Sequence, residues 1–336
     1  MTNKYQFNLD TLQPGDILLS RGEGKGAAFI AKATGGRFSH AMVYVGNSVI
    51  HAMPDGVYSK NPQRLLFHSN DDLLALRARG GLTDEQASII VDTARYWVGA
   101  LYSKAQAAAV PAYSKARVPT TSPEQFCSRL VAQCYMAAKI QLVVNPDYCS
   151  PNDIARSGLL DPVANYSVLA SQQAIEFAED TVDPNMEIQR AAFTWLAKAR
   201  KLASRRGLGE IATQSEVGHL IYKNPELDSV ICNYIHASGY LKHFDVDRSI
   251  NAFRYDVTLF LEKFSSNHEI MDAIEVESKI NFCELYRHRR NYDAARENAR
   301  QLPNKYNQLQ LRHASNLLIE VHDRLDVLKE VVRTLA

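Results

Sequence analysis

"RFSHAMVYVGNSVIHAM", residues 37–53, is the stretch that decides the fold. Two runs with period-two alternation flank Gly46-Asn47, a favoured two-residue hairpin turn, so the stretch reads as an antiparallel β-hairpin. It carries two titratable rings, His40 and His51. On the first strand His40, Met42 and Tyr44 share one face, and Ala41, Val43 and Val45 share the other. A turn at Gly46-Asn47 pairs Met42 with His51. That places His51 on the His40 face, diagonal to it and roughly 5–8 Å away. A three-residue loop would put the two rings on opposite faces. Parity therefore decides whether the hairpin carries a two-imidazole site.

Around the hairpin the first half mixes strand and helix signals. Pro14-Gly15-Asp16 is a turn before a short strand at Ile17-Leu18-Leu19. A Gly-rich loop containing Gly24 and Gly26 follows, then a short helix over Ala27 to Thr34, ended by Gly35-Gly36. Leu73 to Arg77 reads as a strand. Thr83 caps a helix that runs to about Trp97, with acidic residues in its first turn. Residues 102–122 read as a loop region with an Ala-rich piece, and a helix covers roughly 124–139. From about 167 strand signals vanish and 3.6-residue periodicity takes over, over Ile188 to Leu202, Ile250 to Phe264, Asn281 to Ala299 and Leu309 to Val332. The expected division is an α+β domain at 1–165 and an all-α domain at 166–336. "YRHRRNYDAARENA" (286–299) resembles a helical-repeat hairpin, but no second copy at a fixed period supports a solenoid.

The 336 residues carry 46 % hydrophobic and 22 % charged side chains and a net charge of +1, ordinary for a soluble protein. That balance gives no reason to expect nucleic acid or an anionic membrane as partner. The local cluster of Lys198, Arg200, Lys201, Arg205 and Arg206 reads as a solvated helix face. No apolar segment has the roughly 18 residues of a membrane span, and MTNKYQFNLD lacks the apolar core of a signal peptide. A cytoplasmic location follows as the expectation, with export by a signal-independent route as the alternative. The cysteines Cys127, Cys134, Cys149, Cys232 and Cys283 are odd in number and widely spaced, which fits free thiols better than a disulfide framework or a zinc finger.

"TTSPEQFCSRLVAQCY", residues 120–135, supplies the partner for the histidines. Ser122-Pro123-Glu124-Gln125 resembles a capping box with Pro at the first helical position. Cys127 then falls in the first turn or so of a helix, where the helix dipole favours a thiolate, the nucleophilic form. Cys134, deeper in the helix, reads as a core residue.

The order of these motifs resembles a known family. Asp16-Ile17-Leu18 after Pro-Gly, Ser39-His40 opening a strand, the strand with Val49-Ile50-His51-Ala52, Gly99-Ala100-Leu101-Tyr102, Phe126-Cys127-Ser128-Arg129-Leu130-Val131, and Ser150-Pro151-Asn152-Asp153 together look like the circularly permuted branch of the NlpC-type papain-like cysteine hydrolases, the YiiX-like group, related to lecithin:retinol acyltransferase-like enzymes. The resemblance covers about residues 10–160. It implies a small antiparallel sheet or half-barrel packed on helices, Cys127 as nucleophile, His40 as general base, and His51 at the third, orienting position, where many permuted members carry a carboxylate. It implies that Tyr102 lines the site, with an oxyanion role beside the Cys127 N–H as a further expectation. Ser39, Gly24 and Gly26 are candidates for a substrate loop.

The expected chemistry is acyl transfer from a peptide, lipid or other acyl substrate through a Cys127 acyl-enzyme, with no cofactor. Hydrolase and acyltransferase outcomes both remain open, as do a cell-wall endopeptidase and an effector delivered without a signal peptide, with 166–336 recognising substrate or a protein partner. Three readings compete. Gly22-x-Gly24-x-x-Ala27 is a loose dinucleotide fingerprint without the acidic residue it needs. His40, His51 and Cys127 could ligate a metal. The first domain could be catalytically idle and the chain an interaction module.

Overall fold

The computed structural model describes residues 3–22, 35–116, 120 and 122–335. Gly24, Gly26 and the short helix expected over Ala27 to Thr34 lie outside them. The chain divides into two compact units, Met1–Thr181 with Ala212–Ser215, and Val182–Ile211 with Glu216–Ala336.

In the first unit β1 (Tyr5–Phe7), β2 (Ile17–Ser20), β3 (His40–Tyr44), β4 (Val49–Met53), β5 (Gly56–Lys60), β6 (Leu73–Ala78), β7 (Leu160–Pro162) and β8 (Ser167–Leu169) form two antiparallel sheets. One is a six-stranded sheet in the order β5-β4-β3-β2-β6-β7; the other pairs β1 with β8. The sheet is a meander through β3, β4 and β5, extended on the far side of β2. The helices are α1 (Asp84–Tyr96), α2 (Lys104–Tyr113), α3 (Cys127–Ala137), α4 (Pro151–Ala155) and α5 (Gln172–Asp180).

Alternation along the strands builds two cores. Ile17, Leu19, Ala41, Val43, Ile50 and Leu76 face Ile90 and Ala94 of α1 and Leu130, Val131, Cys134 and Tyr135 of α3. Leu18, Met42, Tyr44, Val49, Leu73 and Ala75 face Phe7, Leu12 and Val163. Each central strand is therefore apolar on both faces, which makes a polar residue on it conspicuous.

Several expectations need correction. The first unit runs to Thr181 rather than 165, because β8 closes on β1 and Arg64 donates to the carbonyls of Phe177 and Thr181 beyond it. The Ala-rich piece of 102–122 is a helix, α2, capped by the Ser103 hydroxyl. Ser122-Pro123-Glu124-Gln125 is no capping box: Gln125 pairs its main chain with Leu101 and Ser103, so the segment stays extended and α3 starts at Cys127. Thr83, by contrast, makes the full capping box with Gln86.

The second unit contains α6 (Pro184–Arg205), α7 (Val217–Lys223), α8 (Asp228–Ala237), α9 (His243–Ile250), α10 (Val257–Lys263), α11 (Asn267–Gln301) and α12 (Lys305–Leu335). The single pattern read over Ile250 to Phe264 is broken: α9 ends, Ala252–Tyr255 makes a 3-10 turn, and Asp256 caps α10. The 286–299 segment is the interior of the 35-residue α11 and contains no hairpin turn. The basic cluster lies at the end of α6, where Arg200 donates to Ile211 O at 2.8 Å and Arg206 pairs with Glu226. Among the described residues no helix is long and apolar enough to cross a membrane.

Candidate active site

The hairpin register is the one that joins the two rings. Met42 pairs with His51 and Val45 N–H donates to Ser48 O, so the turn is the two-residue Gly46-Asn47. Gly46 sits at φ 108°, which the turn requires and a β-carbon would oppose. His40 Nε2 and His51 Nδ1 are 2.9 Å apart, with the ring planes inclined at 67°. On its other side His51 meets the ring of Tyr58, its cross-strand neighbour on β5, at 4.5 Å between centroids.

Two tautomer pairings satisfy the imidazole–imidazole bond. If His40 Nε2–H donates, His40 Nδ1 keeps its lone pair and can accept a proton. If His51 Nδ1–H donates, His40 Nδ1 carries hydrogen and can only donate. His51 Nε2 is buried with no partner in either case.

Cys127 is the first residue of α3, and no side chain caps that helix start. α3 packs on the sheet face opposite to His40, and its first residue meets the chain where β3 begins. The thiol lies 4.0 Å from Ser39 O, and the Ala41 N–H lies close enough to stabilise a thiolate. Cys127 thus touches main chain on both sides of His40, while the His40 ring itself is bonded to His51 rather than to the sulfur.

Electrostatics runs against a preformed ion pair. Burial pushes the Cys127 thiol up; the amides of Ala41, Ser128 and Cys127 and the Ser128 hydroxyl pull it down without winning. The expected lowering by the helix start is therefore outweighed by desolvation. Burial, and then the charge of Lys60 on β5, lowers His40 to about 4. Burial lowers His51 well below the ordinary value, with His40 and Lys60 adding to it. The resting site holds a thiol and two neutral imidazoles. Tyr102 is bridged to Gln125, the second residue before Cys127; burial, and then the Cys127 charge, push its phenol up.

The remaining cysteines separate cleanly. Cys134, Cys149 and Cys232 are buried and Cys283 is exposed, all free. Ser39 is buried and its hydroxyl accepts from Gly22 N–H at 2.7 Å. Among the described residues no three side chains of His, Cys, Asp or Glu converge to hold a metal ion.

Sequence reasoning gave no role to Asp16, Arg129 or Asn152. Asp16 is buried in a bidentate pair with Arg77 and accepts from Gln13 N–H, which locks the Pro14-Gly15 turn. Tyr135 of α3 donates to Gly15 O at 2.7 Å and ties that turn to the cysteine helix. Arg129, 2 % exposed, donates to Glu124 O, Ser122 O and Gln106 Oε1 and so holds the extended segment that leads into Cys127. A charged residue predicted to be on the inner side of a cysteine helix was the available signal for Arg129.

Residues 11–147 match the model of the permuted papain-like amidase family, YaeF/YiiX (C92). This region is a circularly permuted papain-like domain of the YiiX type. The match spans His40, His51, Tyr102 and Cys127, and the family is one of cysteine hydrolases. The chain is also similar to the crystal structure of metalloprotein yiiX from Escherichia coli O157:H7, at 21 % identity and a TM-score of 0.36, over 46 % of this chain and 97 % of that one. No curated protein matches. The family match stops before α4 and does not reach the second unit.

Proposed function

We propose that the first unit is a thiol hydrolase or acyltransferase in which Cys127 attacks the carbonyl of an amide, ester or thioester. The observation that carries this reading is the placement of the Cys127 thiol against β3 at Ser39 and Ala41, with the intervening His40 held at Nε2 by His51. That contact leaves His40 Nδ1 as the nitrogen for the thiol proton, in the tautomer in which His40 Nε2–H donates to His51.

In the first half-reaction the thiol proton passes to His40 Nδ1 as sulfur bonds to the carbonyl carbon and the carbonyl oxygen takes the electron pair. The uncapped N–H of Cys127 and the Tyr102 phenol are the candidate donors to that oxygen. Collapse breaks the bond to the leaving group, which takes the proton from His40. In the second half-reaction His40 removes a proton from water or another acceptor, which attacks the thioester and regenerates the thiol. His51 orients His40 through its ring nitrogen, as the third member of a triad does. A histidine there stabilises the imidazolium less than a carboxylate would, consistent with the depressed His40. The second, helical unit supplies recognition of substrate or of a protein partner in this reading.

Incubation with p-nitrophenyl acetate followed by acid quench and peptide mass spectrometry tests the assignment. An acetyl group on Cys127, with release of p-nitrophenol lost in Cys127→Ala, is the expected result. Turnover that survives Cys127→Ala overturns it.

A further inference from the structure

β3 is incompletely paired where it matters most. Against β4 its pairing begins at Met42, and against β2 at His40. Just before the strand, Ser39 N–H still donates to Ser20 O at 3.0 Å. Phe38 has no strand residue for its amide. Its N–H donates instead to Asn152 Oδ1 at 3.0 Å, and its carbonyl accepts from Asn152 Nδ2 at 2.8 Å. One carboxamide thus reproduces the donor–acceptor pair of a neighbouring strand residue.

The side chain is built in from both sides. Asn152 is 3 % exposed and is the second residue of α4, whose start is fixed by Pro151 and a capping box between Ser150 and Asp153. At the other end of α4, Arg156 donates to Gly35 O at 2.6 Å. A β-carbon on Gly36 would stand 2.3 Å from the Asn152 carboxamide, so the space that the clamp occupies exists because residue 36 is glycine. The next residue after the clamped Phe38 is Ser39, whose carbonyl meets the Cys127 thiol, and then His40.

We propose that Asn152 is a positioning residue: its carboxamide stands in for the strand partner that β3 lacks at Phe38 and so fixes Ser39–Ala41, with His40 between them, against the Cys127 thiol. This rests on the reading of Cys127 and His40 as nucleophile and base. Gly36 belongs to the same device, since only a residue without a side chain leaves the carboxamide its place. A misplacement of about 1 Å at a reacting pair can cost on the order of 10²-fold in rate.

The test uses the full chain carrying Cys283→Ser, which removes the exposed competing thiol. The rate of iodoacetamide alkylation at Cys127 is measured by peptide mass spectrometry across pH, with thermal melts to establish folding. Folded Asn152→Ala and Gly36→Ala are expected to slow alkylation at neutral pH by about tenfold or more. Both should lose the same His-dependent limb of the pH profile that His40→Ala loses. The double variant Gly36→Ala/Asn152→Ala should be no slower than Asn152→Ala, because the new methyl enters vacated space. A folded Asn152→Ala with the parent rate and profile overturns the inference, and so do losses that multiply in the double variant. If Asn152→Ala fails to fold, Asn152→Asp, which keeps the acceptor and loses the donor, and Gly36→Ala carry the test. Failure of the catalytic reading looks different: His40→Ala would then keep the parent profile, or Cys127→Ala would keep turning over p-nitrophenyl acetate.

Discussion

At His40 the physical conflict of the site is concentrated. An imidazole acts best as a base near neutrality, yet burial and Lys60 lower His40 to about 4. The unfolded chain takes up its proton near 6.5 and the folded one does not until about 4. Folding stability is therefore intact above pH 6.5 and declines as pH falls toward 4, by on the order of 3 kcal/mol from His40 alone at 1.36 kcal/mol per unit. His51 shifts in the same direction and steepens the loss. Thermal melts of the parent and of His40→Gln between pH 7.5 and 4.5 measure this; the variant should lose distinctly less stability on acidification. The same depression moves the acid limb of kcat/KM for a p-nitrophenyl ester toward pH 4, so activity at pH 5.5 should stay within a few-fold of that at pH 7. A limb centred near 6.5 would mean that His40 is not the group observed. His51→Ala should reduce turnover while leaving it measurable, since orientation is lost but the base remains; wild-type rates in that variant would remove His51 from the mechanism.

Between single residues and the whole chain stand the hairpin and the cysteine helix, and they were legible for different reasons. The hairpin register follows from period two and a turn whose length fixes parity, which is why Met42 opposite His51 is legible in the sequence. The start of α3 was less legible: Ser122-Pro123-Glu124-Gln125 has capping chemistry, but tertiary pairing of Gln125 with residues 101–103 holds it extended. Burial at Cys127 was invisible as well, and it reverses the pKa direction that the helix start alone implies. Among the contacts no local pattern reveals is the Arg129 network. Its guanidinium makes three hydrogen bonds, to Glu124 O, Ser122 O and Gln106 Oε1. The 3.5 Å approach of Nε to Asp147 is a charge contact, and Nε itself has no hydrogen-bond partner. Desolvation leaves its pKa lowered despite Asp147. Removing such a buried cation strands its acceptors, so Arg129→Ala should destabilise the unit by about 3–5 kcal/mol. Urea unfolding of the full chain checks this; a loss under 1 kcal/mol would show that the 122–126 segment does not depend on Arg129.

For the whole molecule the question is where the first unit ends. The change from strand to helix signals near 167 suggested a boundary at 165, because β8 is three residues long and half exposed, too short to register as a strand. Its role is in pairing: Tyr5–Phe7 has Ser167–Leu169 as its ladder partner, and Asn8 N–H donates to Tyr166 O. Downstream, α5 is anchored by Lys4 with Glu179 and by Arg64, which reaches Phe177 O and Thr181 and lies over the Phe177 ring. A fragment ending at 165 strips β1 of its β8 ladder and leaves it only the Tyr5–Phe67 bridge, beside Phe7 and Leu12 of the second core. A fragment ending at 181 keeps every one of these contacts. Expressed side by side, residues 1–181 should be soluble, melt cooperatively and acquire the acetyl group at Cys127 from p-nitrophenyl acetate, and residues 1–165 should aggregate or melt at least several degrees lower. Equal solubility and equal melting of the two fragments would show that β8 and α5 are appendages, and poor folding of 1–181 would show that the helical unit completes the first one.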